Sequence, residues 1–299
     1  MTPADFALAL FAMAIWGCNY AFAKLGLLEL PPFALVSLRF LLVGLATAPF
    51  ASTPRRHLAR LASFSAVFGT MHFGLVYLGL TRVDAATGAA LVQLQVPFAA
   101  ILSAASLRER PGRRWAAGVG LAFAGALVLL GEPRLSANLG FALLIVLAAA
   151  AWAVSYLQLK RMQAAGPIGP FSINAWTSLF TAPQLAALSL ALERDQLAKL
   201  AAMSALGWAS LAYQVVFVGV VAYVIWYRLV GRYPVNVTSP FTLTIPVFSA
   251  LAGAGLLREP VTGPFVVGAL LTASGVAVVM VSSHRRAAGA APAGEGSAA

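Results

Sequence analysis

The sequence is poor in charge, and poorest in acid. Charged residues fill 10% of its 299 positions and hydrophobic residues 61%. Soluble domains carry roughly 25% charged and roughly 45–50% apolar residues. So few charges cannot cover a water-facing surface, so this chain requires lipid as its solvent. Disorder needs high charge and low hydrophobicity, and is excluded too. The one cysteine, Cys18, rules out a fold stapled by internal disulfides. The sequence has no Walker motif, no His/Cys metal cluster and no Ser/His/Asp set within its apolar runs. No enzyme chemistry, cofactor or metal is expected.

Base is more abundant than acid, with 20 Lys and Arg against 9 Asp and Glu, a net charge of +11. In a soluble protein that excess would suggest nucleic acid. Here the basic residues form short clusters between apolar runs, with no basic stripe interleaved with aromatics. The bilayer is therefore the expected partner, and nucleic acid is not. The first apolar run has no Lys or Arg before it and no clear cleavage site, so it reads as a membrane span and not a signal peptide.

A bilayer core needs about 20 apolar residues per helix. Ten such runs occur, at 4–24, 33–51, 61–80, 86–107, 115–131, 138–159, 170–192, 206–228, 236–257 and 263–283. They are continuously apolar and do not alternate, which excludes a membrane β-barrel. The expected fold is an all-α integral membrane protein of ten transmembrane helices. Alternate loops divide the basic residues unevenly. Thirteen fall on one side, six on the other, and Arg39 lies inside a span. The richer side is cytoplasmic by the positive-inside rule, which puts both termini there. The polar stretch 284–299 reads as a disordered cytoplasmic tail.

The two halves repeat each other. Trp16, Tyr20 and Lys24 recur as Trp152, Tyr156 and Lys160. Gly69, Phe73, Tyr77 and Arg82 recur as Gly219, Tyr223, Tyr227 and Arg232. Pro32-Phe33 matches Pro170-Phe171, and Pro97 matches Pro246. Leu107-Arg108-Glu109 matches Leu257-Arg258-Glu259, and Gly118 and Gly125 match Gly268 and Gly275. The ordered series divides the chain into repeats at 1–131 and 138–283, five helices each. Five is odd, so the second repeat enters the membrane inverted. Inverted repeats are a transporter architecture, with substrate held near the midplane between them.

The Trp-Gly-x-Asn stretch at Trp16–Asn19, the Pro-Pro-Phe…Leu-Arg-Phe stretch from Pro31 to Phe40, and the doubled Arg-Glu segments after spans 4 and 9 resemble the EamA family. That family belongs to the drug/metabolite transporter superfamily, and the likeness covers about residues 4–283. It implies spans 1–4 and 6–9 around a central cavity, with spans 5 and 10 at the periphery. The makeup looks similar to the branch that exports aromatic and other neutral amino acids.

All nine carboxylates fall in loops, at span ends or in the tail. Coupled pumps hold acid within the bilayer to carry H⁺ or Na⁺. Its absence points to a neutral or zwitterionic substrate moved by facilitated diffusion. The expected substrate site comprises Asn19, Tyr20, His72, Gln95, Trp152, Tyr156, Trp176, Tyr213 and Tyr223. Trp16, Asn19 and Tyr20 share one helical stripe, as do Trp152, Ser155 and Tyr156. His72 has a second reading as a proton carrier. Arg39 has two, as a partner for a substrate carboxylate or as a structural group reaching outward. Pro97 and Pro246 sit mid-span, each freeing the carbonyl four residues back, at Gln93 and Thr242. They are the expected hinges. Lys160–Glu109 and its repeat mate Lys24–Glu259 are the expected gate pairs. The expected function is export of small neutral or zwitterionic metabolites, amino acids first, from a multi-pass protein of the bacterial inner membrane. An exporter of drug-like amphiphiles and a proton-coupled carrier remain alternatives. Small-residue faces on spans 5 and 10 suit close packing within a monomer or in a homodimer.

Overall fold

Helices are the expected solution for these runs, because lipid offers a backbone N–H or C=O no partner. The computed structural model describes residues 1–107, 112–132, 137–233 and 235–289. Its ten candidate spans are Pro3–Leu27, Pro32–Phe50, Arg55–Leu80, Ala85–Leu102, Arg113–Leu130, Leu139–Ala164, Pro170–Leu192, Ala205–Arg232, Pro240–Leu257 and Gly263–Ser282, numbered 1 to 10. Span 3 starts several residues before the apolar run, because its first turns carry Arg55, Arg56 and Arg60. The last helix continues past 283 to Gly289, into the stretch expected to be a disordered tail.

The starts follow local chemistry. Pro3, Pro32 and Pro170 open spans 1, 2 and 7, where a missing N–H removes nothing a helix would use. Thr2 Oγ1 accepts the Asp5 N–H at 3.2 Å, and Ser204 Oγ accepts the Gly207 N–H at 3.2 Å. Outward faces are apolar. Leu127 is 69% exposed, Leu251 66% and Leu270 62%, a pattern suited to acyl chains.

Four spans are irregular, three at mid-length and span 9 at its start. Ser65–Phe73 in span 3 and Tyr213–Ala222 in span 8 are π-helical. Span 4 is interrupted between its helices Ala85–Val92 and Gln95–Leu107. Span 9 opens in a 3₁₀ stretch, Ser239–Thr244, which gives way to α-helix at Ile245. π-helical turns are frequent at functional sites.

Helix packing comes in matched sets. Span 1 packs on spans 8 and 9, and span 6 packs on spans 3 and 4. Span 2 packs on spans 7 and 8, and span 7 on spans 2 and 3. Spans 4 and 9 pack together, and spans 5 and 10 form the most extensive pair. Gly118, Gly125, Gly268 and Gly275 are the reason for that last pairing. A Cβ at Gly268 would stand 2.7 Å from Leu129 Cγ, and one at Gly118 would stand 2.9 Å from Val278 Cγ1. The small-residue faces are thus used within the chain. Gly120, two residues past Gly118 and so on the other side of the helix, faces open space.

Leucine at Gly268 should therefore lower thermal stability in detergent by about 1–3 kcal/mol, the usual cost of overpacking. Alanine at Gly120 should leave the melting temperature unchanged. Equal melting of both variants would show that this pair does not hold the bundle together.

Candidate functional site

Eight helices enclose one central space. A cavity of about 380 Å³ is lined from spans 1–4 and 6–9, and spans 5 and 10 contribute nothing to it. The lining runs from mid-bundle toward the end that carries the N-terminus, through Leu159, Asn174 and Trp226. Of the expected substrate residues, Asn19, Tyr20, His72, Gln95, Trp152, Tyr156 and Tyr223 line it. Trp176 and Tyr213 do not, which corrects the expectation. Trp176 packs beside Leu61, Met162 and Ile168, and its indole N–H donates to Ser52 O at 3.1 Å. Tyr213 stacks on Phe22 at 3.9 Å, and its hydroxyl donates to Ile15 O at 3.0 Å.

Aromatic rings make much of the wall. Trp16 stands edge-on to Tyr223 and Trp226 at 5.6 and 5.5 Å. His72 lies edge-on to Trp152 at 4.7 Å, and Phe68 to Trp152 at 5.0 Å. His72 Nδ1 is 2.8 Å from Ala148 O. A carbonyl only accepts, so Nδ1 carries the proton and the bond ties span 3 to span 6. No carboxylate lines the cavity among the described residues.

Arg39 does not reach outward from the bundle; it is 4% exposed and lines the cavity. Nη1 donates to Tyr77 Oη at 2.8 Å, Tyr77 Oη to Gln214 Oε1 at 2.6 Å, and Gln214 Nε2 to Ser210 Oγ at 3.2 Å. That chain joins spans 2, 3 and 8. Sequence position placed Arg39 inside a span but not on a face.

The two proline-bearing spans meet at the Thr242 carbonyl, which also accepts the Ile245 N–H. Gln93 Nε2 donates to Thr242 O at 2.6 Å. Thr242 lies four residues before Pro246, and Gln93 four before Pro97, so the interruptions in spans 4 and 9 touch across the two halves. Both residues line the cavity. Span 7 carries a further mid-helix proline, Pro183, that the sequence reading passed over.

Charged groups close the bundle at the end away from the N-terminus. Lys24 pairs with Glu259, lies 3.9 Å from Asp84, and donates to Val83 O at 2.9 Å. Arg258, left-handed at φ 56°, turns the chain after span 9 so that Glu259 folds back. Glu259 Oε2 then accepts the Ala85 N–H at the start of span 4, at 2.8 Å. Glu193 accepts the Phe33 and Ala34 N–H groups at the start of span 2, at 2.7 and 3.0 Å. Glu29 accepts from Ser204 N at 2.6 Å and from its hydroxyl, at the start of span 8. Each carboxylate thus meets a helix N-terminus in the other half, where unpaired N–H groups and the dipole favour negative charge. Of the other expected gate pair, Lys160 is exposed with no ion pair among the described residues, and Glu109 lies outside them.

Ten apolar helices, eight of them around a polar-flecked cavity, are the build of a multi-pass membrane protein with an internal site. The sequence matches the EamA-like transporter family over residues 6–131 and 139–281, and the chain belongs to that family. It is 31% identical over 92% of its length to a Salmonella typhimurium protein named "Probable amino-acid metabolite efflux pump", covering 94% of that protein. An Escherichia coli protein of the same name is 30% identical with the same coverage. A solved crystal structure superposes with a TM-score of 0.63 at 18% identity, over 96% of this chain and 99% of the other, a likeness of fold.

Two outcomes follow. Gln93→Leu leaves the Thr242 carbonyl without this donor, and should cost about 1–3 kcal/mol in thermal unfolding; an unchanged melting temperature would mean other donors satisfy it. The Ser204 bonds hold Glu29 below the usual carboxylate range. Its contribution is present above the ordinary Glu range and is lost as pH falls through the depressed value. Ser204→Ala should therefore move the acid-induced loosening of this end to higher pH, read by labelling an introduced cysteine there across a pH series.

Proposed function

We propose that this protein exports small neutral or zwitterionic metabolites, foremost aromatic and other neutral amino acids, by alternating access and facilitated diffusion across the bacterial inner membrane. One observation carries the reading: a ring-walled cavity bounded by both halves of the chain, with a cation and, among the described residues, no carboxylate in its lining. The naming of the Salmonella and Escherichia coli relatives as amino-acid metabolite efflux pumps supports it. Bilayer and small molecule are then the partners.

The repeats at 1–131 and 138–283 are inverted on this reading. Exchanging spans 1–5 for 6–10 maps the packing onto itself, and the π-helical stretches of spans 3 and 8 exchange as well. Gly69 and Gly219 are also exchanged, each admitting a neighbour from another span too close for a Cβ. With the termini in the cytoplasm by charge bias, the cavity faces inward and the Lys24–Glu259 end is the closed outer gate. Exposed Lys160 is then the open inner gate, to be closed by Glu109 after the switch. Pro97 and Pro246, linked by Gln93 and Thr242, are the hinges. His72 is held by a carbonyl, and no acid stands in the cavity wall among the described residues, which offers little support for proton coupling.

Reporter fusions should place the 108–114 loop and the C-terminus in the cytoplasm and the 193–199 loop outside. A cytoplasmic 193–199 loop would sink the inverted repeat. Proteoliposomes preloaded with neutral amino acids should show counterflow but no accumulation under a pH or Na⁺ gradient alone. Transport of quaternary ammonium dyes without amino acids would replace this reading with an amphiphile exporter. Lys24→Glu should raise labelling of a cysteine at Gln95 (in a Cys18→Ser background) from outside, and adding Glu259→Lys should reverse it. Unchanged labelling would leave the pair as a structural cap.

A further inference from the structure

Arg39 is a buried cation with no counter-ion among the described residues. Among the described residues its hydrogen bond goes to a phenol, Tyr77 Oη. Its Nε is buried and finds no acceptor. Around it stand rings, with Cζ 4.9 Å from the Phe73 centroid, 5.6 Å from Phe40 and 5.9 Å from Tyr77. Rings attract a cation but do not replace an anion. An ionised group in a low-dielectric interior is costly unless paired. Every described ion pair lies at a bundle end, on Lys24 or Arg232. No described residue supplies the missing partner, and the cavity that Arg39 lines is where one from outside the protein would arrive.

The same cavity holds two orphans of the opposite kind. Asn19 Oδ1 and Gln95 Oε1 are buried acceptors with no donor, and both residues line the space. Resting on the amino-acid reading above, we propose that Arg39 is the site for the substrate carboxylate, and that Asn19 and Gln95 receive its ammonium group. The guanidinium fork suits a carboxylate bidentately, through Nε and a terminal nitrogen. The site would then reject amines and amides, because neither brings a negative charge to Arg39. The ring wall of Phe68, Trp152 and Trp16 is left for an apolar side chain.

A structural role would hold Arg39 only to orient Tyr77 and the chain to Gln214. Specificity separates the two. The experiment is counterflow of labelled leucine, methionine and phenylalanine in proteoliposomes, with each unlabelled acid and its amide as competitors. In the wild-type protein the amides should compete about 10–100-fold more weakly, the effect of one charge-assisted bond. Arg39→Gln should bring that ratio to near one. Arg39→Lys should keep part of the preference with weaker affinity. Tyr77→Phe, which leaves the guanidinium in place, should keep the preference in full. Amides competing as well as acids in the wild type would overturn the assignment, as would a folded Arg39→Gln that keeps the ratio. If Arg39→Gln does not fold, the other two variants decide. Loss of preference in Tyr77→Phe, or full preference with unchanged affinity in Arg39→Lys, overturns the assignment. Absence of counterflow with every amino acid would instead defeat the amino-acid reading, a separate result.

Discussion

A helix start leaves unpaired N–H groups, and in a membrane bundle those groups must find an acceptor or reach water. At one end of this protein the acceptors are carboxylates from the opposite half of the chain. Glu259 serves the start of span 4, Glu193 that of span 2, and Glu29 that of span 8. Few acids exist in the sequence, and three of the nine are used here. The rest of the molecule depends on this arrangement. It joins the halves at one end and leaves the other end free of comparable caps among the described residues, apart from Asp5 with Tyr233 and Arg232.

The interior obeys the same economy in the opposite sense. At a helix interruption the Thr242 carbonyl accepts both the local Ile245 N–H and the Gln93 side chain from the other half. Among the described residues that line the cavity, Arg39 is the exception to the exclusion of charged side chains. Proline, π-helical turns and one guanidinium therefore gather around a single cavity, where irregular backbone is tolerated because it lines an open space.

The ten spans were legible because lipid imposes a length and an apolar composition that a sequence cannot hide. Lys24 and Glu259 were legible as a pair because the repeat aligned their mates. The faces of the spans were harder to read. Trp176 and Tyr213 looked like wall residues by type, but an indole or a phenol satisfies its polar atom equally well on a backbone carbonyl between helices. The π-helical stretches left no residue signature, since they consist of the same Val, Phe and Gly as ordinary spans. Arg39 was visible, but its direction was not. A span of a few turns lets a long side chain either reach outward or point inward, and only the packed neighbours decide.

The two ends differ in a way the repeat cannot explain by itself. Lys24 and Glu259 have counterparts in Lys160 and Glu109. Carried across the repeat alignment, Glu29 falls on Ala165 and Glu193 on Arg55, so those two caps have no mates. On the alternating-access reading, closing the outer end gains contacts that closing the inner end cannot match. Two states separated by a few kcal/mol respond to differences of this size. The balance then tilts toward the conformation whose cavity faces the cytoplasm, where an exporter meets its substrate. Bound substrate has to contribute the opposing free energy, and a carboxylate on Arg39 is the group in this cavity with the most to contribute. Substrate charge and gate charge are thus read as two sides of one balance, set by residues that lie at different depths and share no contact.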